Sequence, residues 1–233
     1  MEGKIDFDSI DAVLRFLPGE VMMMIGPAKC IAISGNIGTG KSTLVEFLTR
    51  HFDVTPLFEP NEENPYLADF YSDMPRWAFH SQVFFLVKKF KLHQEMTAAP
   101  GTVILDRTIY EDAEIFATNL AKMGMIPPRE FKTYLSLYET LADILRPPDL
   151  LIHLQCSLST IRKRIVIRGR PEEQGVPDAY IKRLNRLYDR WFERYQRCPT
   201  LVLRTDRIDY VSDLVDQVGV LETIESYIGR PGA

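Results

Sequence analysis

Apolar residues along this chain follow two rhythms that take turns. Short, nearly continuous apolar runs at 30–34, 54–58, 102–105, 150–154 and 201–204 predict five buried strands. Between them, apolar positions recur every three or four residues, which predicts helices over 41–51, 65–71, 75–96, 111–123, 128–145, 159–167, 178–197 and 210–228. Local chemistry supports several of these limits. Leu44, Phe47 and Leu48 share one face of the first helix, Pro75 stands near the first turn of the long one, and Gly169 breaks the helix over 159–167. Strands separated by helices need crossover connections, so the pattern implies an α/β fold: a five-stranded parallel sheet with helices on both faces. No repeat, low-complexity tract or long linker divides it. Residues 28–233 read as one domain and 1–27 as an N-terminal extension, with an amphipathic pattern over 9–16.

Composition narrows the setting. A chain of 233 residues can build one α/β domain with a full core. A net charge of −4 argues against nucleic-acid binding, so any phosphate site must be local. The apolar run over 21–25 is too short to span a bilayer. Glu2, Asp6, Asp8 and Asp11 do not suit a secretory or transit sequence, so the expected compartment is the cytoplasm. Cys30, Cys156 and Cys198 are scattered, as expected of reduced, mostly buried thiols. His51, His80, His93 and His153 show no metal-ligand spacing and receive no role.

The turn after the first strand carries chemistry. Gly35, Asn36, Ile37, Gly38, Thr39, Gly40, Lys41 and Ser42 fit G-x-x-x-x-G-K-[ST], with Thr43 following. Its glycines let main-chain N–H groups turn inward around phosphate oxygens, and the helix that follows aims its positive end at them. Lys41 supplies charge to the outer phosphates, and Ser42 can ligate Mg²⁺. A guanine-reading N-K-x-D is absent, and the size favours a kinase acting on a small substrate. The third strand ends in Asp106-Arg107-Thr108, which places an acid beside the phosphate loop. Glu59 follows the second strand on the rim where open sheets bind ligands. Arg164, Arg168 and Arg170 form a basic cluster able to clamp a phosphoryl group, with Glu172 and Glu173 close behind. Gln82 stands among aromatic residues on the long helix.

The runs G-N-I-G-T-G-K-S-T, F-E-P, E-N-P-Y-L, W-A-F-H-S-Q, D-R-T-I-Y-E-D and I-R-G-R-P-E-E-Q-G resemble the deoxynucleoside kinase family from about residue 30 to 228, bacterial deoxyadenosine and deoxyguanosine kinases in particular. The resemblance implies a P-loop kinase fold with an Arg-rich lid over about 162–176. It implies transfer of the γ-phosphate of ATP, with Mg²⁺, to the 5′-hydroxyl of a deoxyribonucleoside in nucleotide salvage. The expected base is a purine, deoxyadenosine being favoured. It further implies Glu59 as general base, Asp106 on the magnesium side and Arg107 as charge stabiliser. Arg164, Arg168 and Arg170 become lid arginines, with Arg168 also flanking the adenine of ATP beside Asp209 and Tyr210. Tyr71 and Glu173 hold the sugar 3′-hydroxyl. Gln82 and Asp112 read the base with Lys89, and Phe116 walls the pocket. Lys89 stands where relatives carry Arg, and Asp106 where many carry Glu. A homodimer is implied, and 128–145 offers Tyr134, Leu135, Leu137 and Tyr138 as one face. A nucleoside-monophosphate kinase and a non-catalytic P-loop subunit are the alternatives. The first would need an added basic clamp for its acceptor, and the second is expected to lose Lys41, Glu59 or the lid arginines.

Overall fold

The central strand of the sheet is the first in the chain. In the computed structural model, which describes residues 30–58, 63–170, 173 and 175–228, β1 (Cys30–Gly35) lies between β3 (Thr102–Asp106) and β4 (Leu150–Gln155). β2 (Val54–Leu57) and β5 (Thr200–Arg204) form the edges. All four pairings are parallel, giving the order β2-β3-β1-β4-β5. Pro56 is confined to an edge strand, where a missing N–H is tolerated. The apolar runs are continuous because both faces are covered. Ile31 and Ile33 pack under α1 (Lys41–His51) and α8 (Leu214–Ile228), whereas Ala32 between them joins the larger core on the opposite face. Full burial of such an isoleucine contributes about 2 kcal/mol.

That larger core is built by α2 (Leu67–Ser72), α3 (Met74–Ala98), α4 (109–122), α5 (Pro128–Ala142), α6 (Leu158–Arg168) and α7 (Asp178–Arg194). Their starts follow from local chemistry. Asp73 accepts a hydrogen bond from the Arg76 N–H at the head of α3 (3.3 Å), with Pro75 in the first turn. Ser157 does the same for Thr160 on α6, and Gly169, at φ 67°, ends that helix. Among the described residues no helix is long and apolar enough to cross a membrane.

Five expectations change. The helix predicted over 111–123 starts earlier and is not uniform: Ile109–Glu111 and Thr118–Lys122 are α-helical, but Asp112–Ala117 is π-helical. The Thr118 N–H and its Oγ1 both donate to the Ala113 carbonyl five residues back (Oγ1 at 2.9 Å), which widens the turn. The helix predicted from 210 begins at Leu214. Asp209 draws the N–H groups of Val211 and Ser212 into a turn (both 3.1 Å), and Asp213 then accepts from Val215 and Asp216. The helix from 178 ends at Arg194, and the one from 128 ends at Ala142. On α5 the proposed pairing face is largely consumed: Tyr134 and Tyr138 are buried in the core, Leu135 packs against it, and Leu137 alone of the four is well exposed. The region 9–16 lies outside the described residues.

Candidate active site

The phosphate loop is held from beneath by long-range contacts. Gly35, Gly38 and Gly40 all have positive φ (145°, 75° and 100°). At Gly35 a Cβ would lie 2.7 Å from the Leu154 carbonyl of β4, a main-chain contact that cannot yield. Asn36 fixes the next residue to α7: its Nδ2 donates to the Ile181 carbonyl at 3.1 Å and to Asn185 Oδ1, while its Oδ1 accepts from Ile37 N at 2.8 Å. Thr39 Oγ1 and Lys41 Nζ both donate to the Asn36 carbonyl at 2.9 Å, so the loop closes around its own main chain.

Under this loop lies a network that sequence reasoning missed. Glu111 is fully buried and accepts from Ser34 Oγ (3.0 Å), Gly35 N (3.4 Å) and Tyr188 Oη (3.1 Å) through Oε1, and from Thr108 N and Oγ1 (both 3.0 Å) through Oε2. Five donors satisfy a carboxylate that burial would otherwise penalise. His153 Nδ1 lies 3.2 Å from Ser34 Oγ, and its ring stacks on Tyr188 and Phe192. Burial and then the charge of Lys41 push the His153 imidazole down to about 3, so it is neutral. Only the T-x-x-E spacing of Thr108 and Glu111, a capping box, could have hinted at any of this.

Where β3 ends, the chain makes the turn that carries the acid and the arginine. Ser42 Oγ donates to Asp106 Oδ2 at 2.7 Å, whereas the buried Asp106 Oδ1 has no hydrogen-bond partner among the described residues. A hydroxyl touching a carboxylate with one oxygen still open is a donor set that suits Mg²⁺, which takes few protein ligands and keeps water and phosphate oxygens. Among the described residues no three His, Cys, Asp or Glu gather to hold a metal. Arg107 is the sole described non-glycine residue with positive φ (67°), a conformation that costs about 1 kcal/mol or more. Its N–H donates to the Ile33 carbonyl of β1 at 3.0 Å, and its guanidinium lies 4.4 Å from the centre of the Phe116 ring.

One cavity joins the loop to the residues expected on the acceptor side. Ile37, Gly38, Lys41 and Ser42 line it together with Tyr71, Gln82, Arg107, Asp112, Phe116, Arg168, Arg170 and Glu173. Tyr180 is a further wall that sequence reasoning did not single out. Burial pushes its hydroxyl up to about 12 against the opposing charge of Arg107. Gln82 is buried, and its Oε1 has no hydrogen-bond partner among the described residues. Glu173 is paired with Arg168 and lies 3.7 Å from Arg170, so the acid and the arginines of this segment meet each other directly. Lys89 differs from the expectation of a base-facing side chain: it is fully buried, with Nζ donating to the carbonyls of Asp106 (2.5 Å) and Arg107 (2.9 Å). Glu59 lies outside the described residues.

A second cavity, of about 620 Å³, opens on the other side of the loop between α6 and the segment after β5. Gly40, Thr43, Arg164, Arg168, Asp209 and Tyr210 are among its walls. Several of these carry the loop more than they face the cavity. Arg164 donates to the carbonyls of Thr39 and Thr205 (both 2.7 Å) and to Thr205 Oγ1 (2.9 Å), so its guanidinium is a strut behind the loop. Tyr210 is buried with its hydroxyl donating to the Gly40 carbonyl at 3.1 Å, and the Asp209 carboxylate serves its own turn.

This arrangement has known counterparts. Residues 31–229 match the family model described as Deoxynucleoside kinase. The deoxyadenosine/deoxycytidine kinase of Bacillus subtilis is 36% identical over 202 residues, spanning 85% of this chain and 92% of the relative. The deoxyguanosine kinase of Lactobacillus acidophilus is 38% identical over 211 residues, spanning 87% and 92%. Among solved structures, deoxyadenosine kinase from M. mycoides with bound dATP matches with a TM-score of 0.72 at 28% identity, over 84% of this chain and 97% of that one. With its phosphate loop, its acid-bearing β3 turn and the cavity between them, the chain belongs to the deoxynucleoside kinase family of phosphotransferases.

Proposed function

We propose that this protein transfers the γ-phosphate of ATP to the 5′-hydroxyl of a purine deoxyribonucleoside, deoxyadenosine above the others, in the cytoplasm and as a homodimer. The observation that carries the reading is the single cavity in which phosphate-loop residues Lys41 and Ser42 meet Gln82, Asp112 and Glu173 around Arg107. A magnesium ion held by Ser42 and Asp106 would neutralise charge on the phosphates. Lys41 and the loop N–H groups orient the outer phosphates. Glu59 takes the proton of the 5′-hydroxyl as its oxygen bonds to phosphorus and the bond to the bridging oxygen of ADP breaks. Arg107, with Arg168 and Arg170 once parted from Glu173, stabilises the charge that develops on the transferring group. Tyr71 and Glu173 hold the 3′-hydroxyl, and Phe116 flanks the base.

Base preference follows from the pocket's polar atoms. The open Gln82 Oε1 and the Asp112 carboxylate are acceptors, which favours a base edge that presents an amino group, as adenine, guanine and cytosine do and thymine does not. The test is turnover with MgATP of the four natural deoxynucleosides, with adenosine, guanosine and deoxynucleoside monophosphates as controls. Deoxyadenosine is expected to give the highest kcat/KM. Turnover of monophosphates alone would replace the reading with a monophosphate kinase, and no turnover at all would sink it. A mass by light scattering of twice 26.8 kDa is expected for the homodimer.

A further inference from the structure

We infer that Lys89 and His93 form a two-rung clamp on α3 that holds the 106–109 turn, which makes Lys89 a positioning residue for Asp106 and Arg107 and not a reader of the base. The inference rests on the kinase reading above for its kinetic consequence, but the clamp itself rests on geometry.

Lys89 and His93 are four residues apart, so they lie on one face of α3, and both are fully buried. In an extended chain successive carbonyls point opposite ways. Here the carbonyls of Asp106 and Arg107 converge on one ammonium, at 2.5 and 2.9 Å, because Arg107 is left-handed at φ 67°. One turn along α3, His93 Nε2 accepts from the Ile109 N–H at 3.3 Å. That role needs a neutral ring, and burial followed by the charge of Lys89 pushes the imidazole down to about 3.

The turn is bound on its other sides as well. Arg107 N donates to β1 at Ile33, and Glu111 takes both donors of Thr108. Lys89 is what ties together the two carbonyls of the strained residue and its neighbour. Any swing of that peptide would carry the Asp106 carboxylate away from Ser42 and the guanidinium away from Phe116. The base pocket lies one to two helical turns back along α3, where Phe85 and Gln82 line the cavity and Lys89 does not.

The experiment compares the full-length wild type with Lys89→Met, a volume-conserving change that removes the donors, and with the milder Lys89→Gln, which keeps an amide donor. Steady-state kinetics on deoxyadenosine, deoxyguanosine and deoxycytidine are read beside hydrogen exchange at the amides of 107–109. Misplaced catalytic groups should lower kcat by about 100-fold on every nucleoside alike, with KM and the ratios of kcat/KM held within about 2-fold. Exchange at 107–109 should quicken, and Lys89→Gln should fall between the two. A shift of about 10-fold or more in the base ratios with kcat retained would overturn the inference and return Lys89 to the base. If Lys89→Met does not fold, Lys89→Gln carries the same comparison. A wild type without turnover would defeat the kinase reading alone, because faster exchange in the variants would still support the clamp and unchanged exchange would overturn it.

Discussion

At Gly35 the difference between a working loop and a blocked one is a single methyl group. A Cβ there meets the Leu154 carbonyl at 2.7 Å in a backbone conformation that side chains avoid. Gly35→Ala is expected to cost about 2 kcal/mol or more and to abolish ATP binding, as read by thermal melting and calorimetry. Glu111 makes the complementary case. Replacing it by Gln puts an amide N–H₂ where a carboxylate now accepts five hydrogen bonds, so at least one buried donor loses its acceptor. A loss of about 2 kcal/mol is expected in urea unfolding. The glycine was legible because its spacing is a local pattern. Glu111 was not, because its partners Ser34 and Tyr188 each lie 77 positions away and no local rhythm records them. The burial of Lys89 was illegible for a related reason: a lysine on a long helix is normally a solvated residue, and only the folded chain reveals two carbonyls aimed at it.

Among the secondary elements, the five strands were legible almost to the residue, since each is an apolar run closed by a turn. Helix ends were less so where polar side chains compete for main-chain groups, as Asp209 and Asp213 do before α8 and Thr118 does inside α4. The same competition makes α6 a brace for the phosphate loop. Arg164 ties it to the phosphate loop at Thr39 and to the end of β5 at Thr205. Arg164→Met keeps the bulk and removes three hydrogen bonds. KM for ATP is expected to rise about 10-fold, with KM for the nucleoside changed little, in a two-substrate titration.

For the whole molecule, the two buried histidines set a direction for pH dependence. Each has its pKa pushed from an ordinary value near 6.5 down to about 3, His93 by burial and Lys89 and His153 by burial and Lys41. The unfolded chain therefore binds more protons than the folded one between those values. Their contribution is full above 6.5 and is lost as pH falls through that window. Between pH 7.5 and 5 each should remove about 2 kcal/mol of stability, read as a lowered urea midpoint. His153→Gln, which cannot take up the proton, should lose roughly half of that dependence. The strand order has a consequence for how the chain is made. β1 is synthesised first but pairs with β3 on one side and β4 on the other, so one of its edges finds no partner until residue 155 has been added, 120 residues after Gly35. At ~5–20 residues per second, that is roughly 6–24 s in which a nascent chain bears an apolar strand with an open edge and a nucleotide loop without its full support. Slow translation or a missing chaperone should harm the yield of this protein more than a fold of local hairpins would suffer.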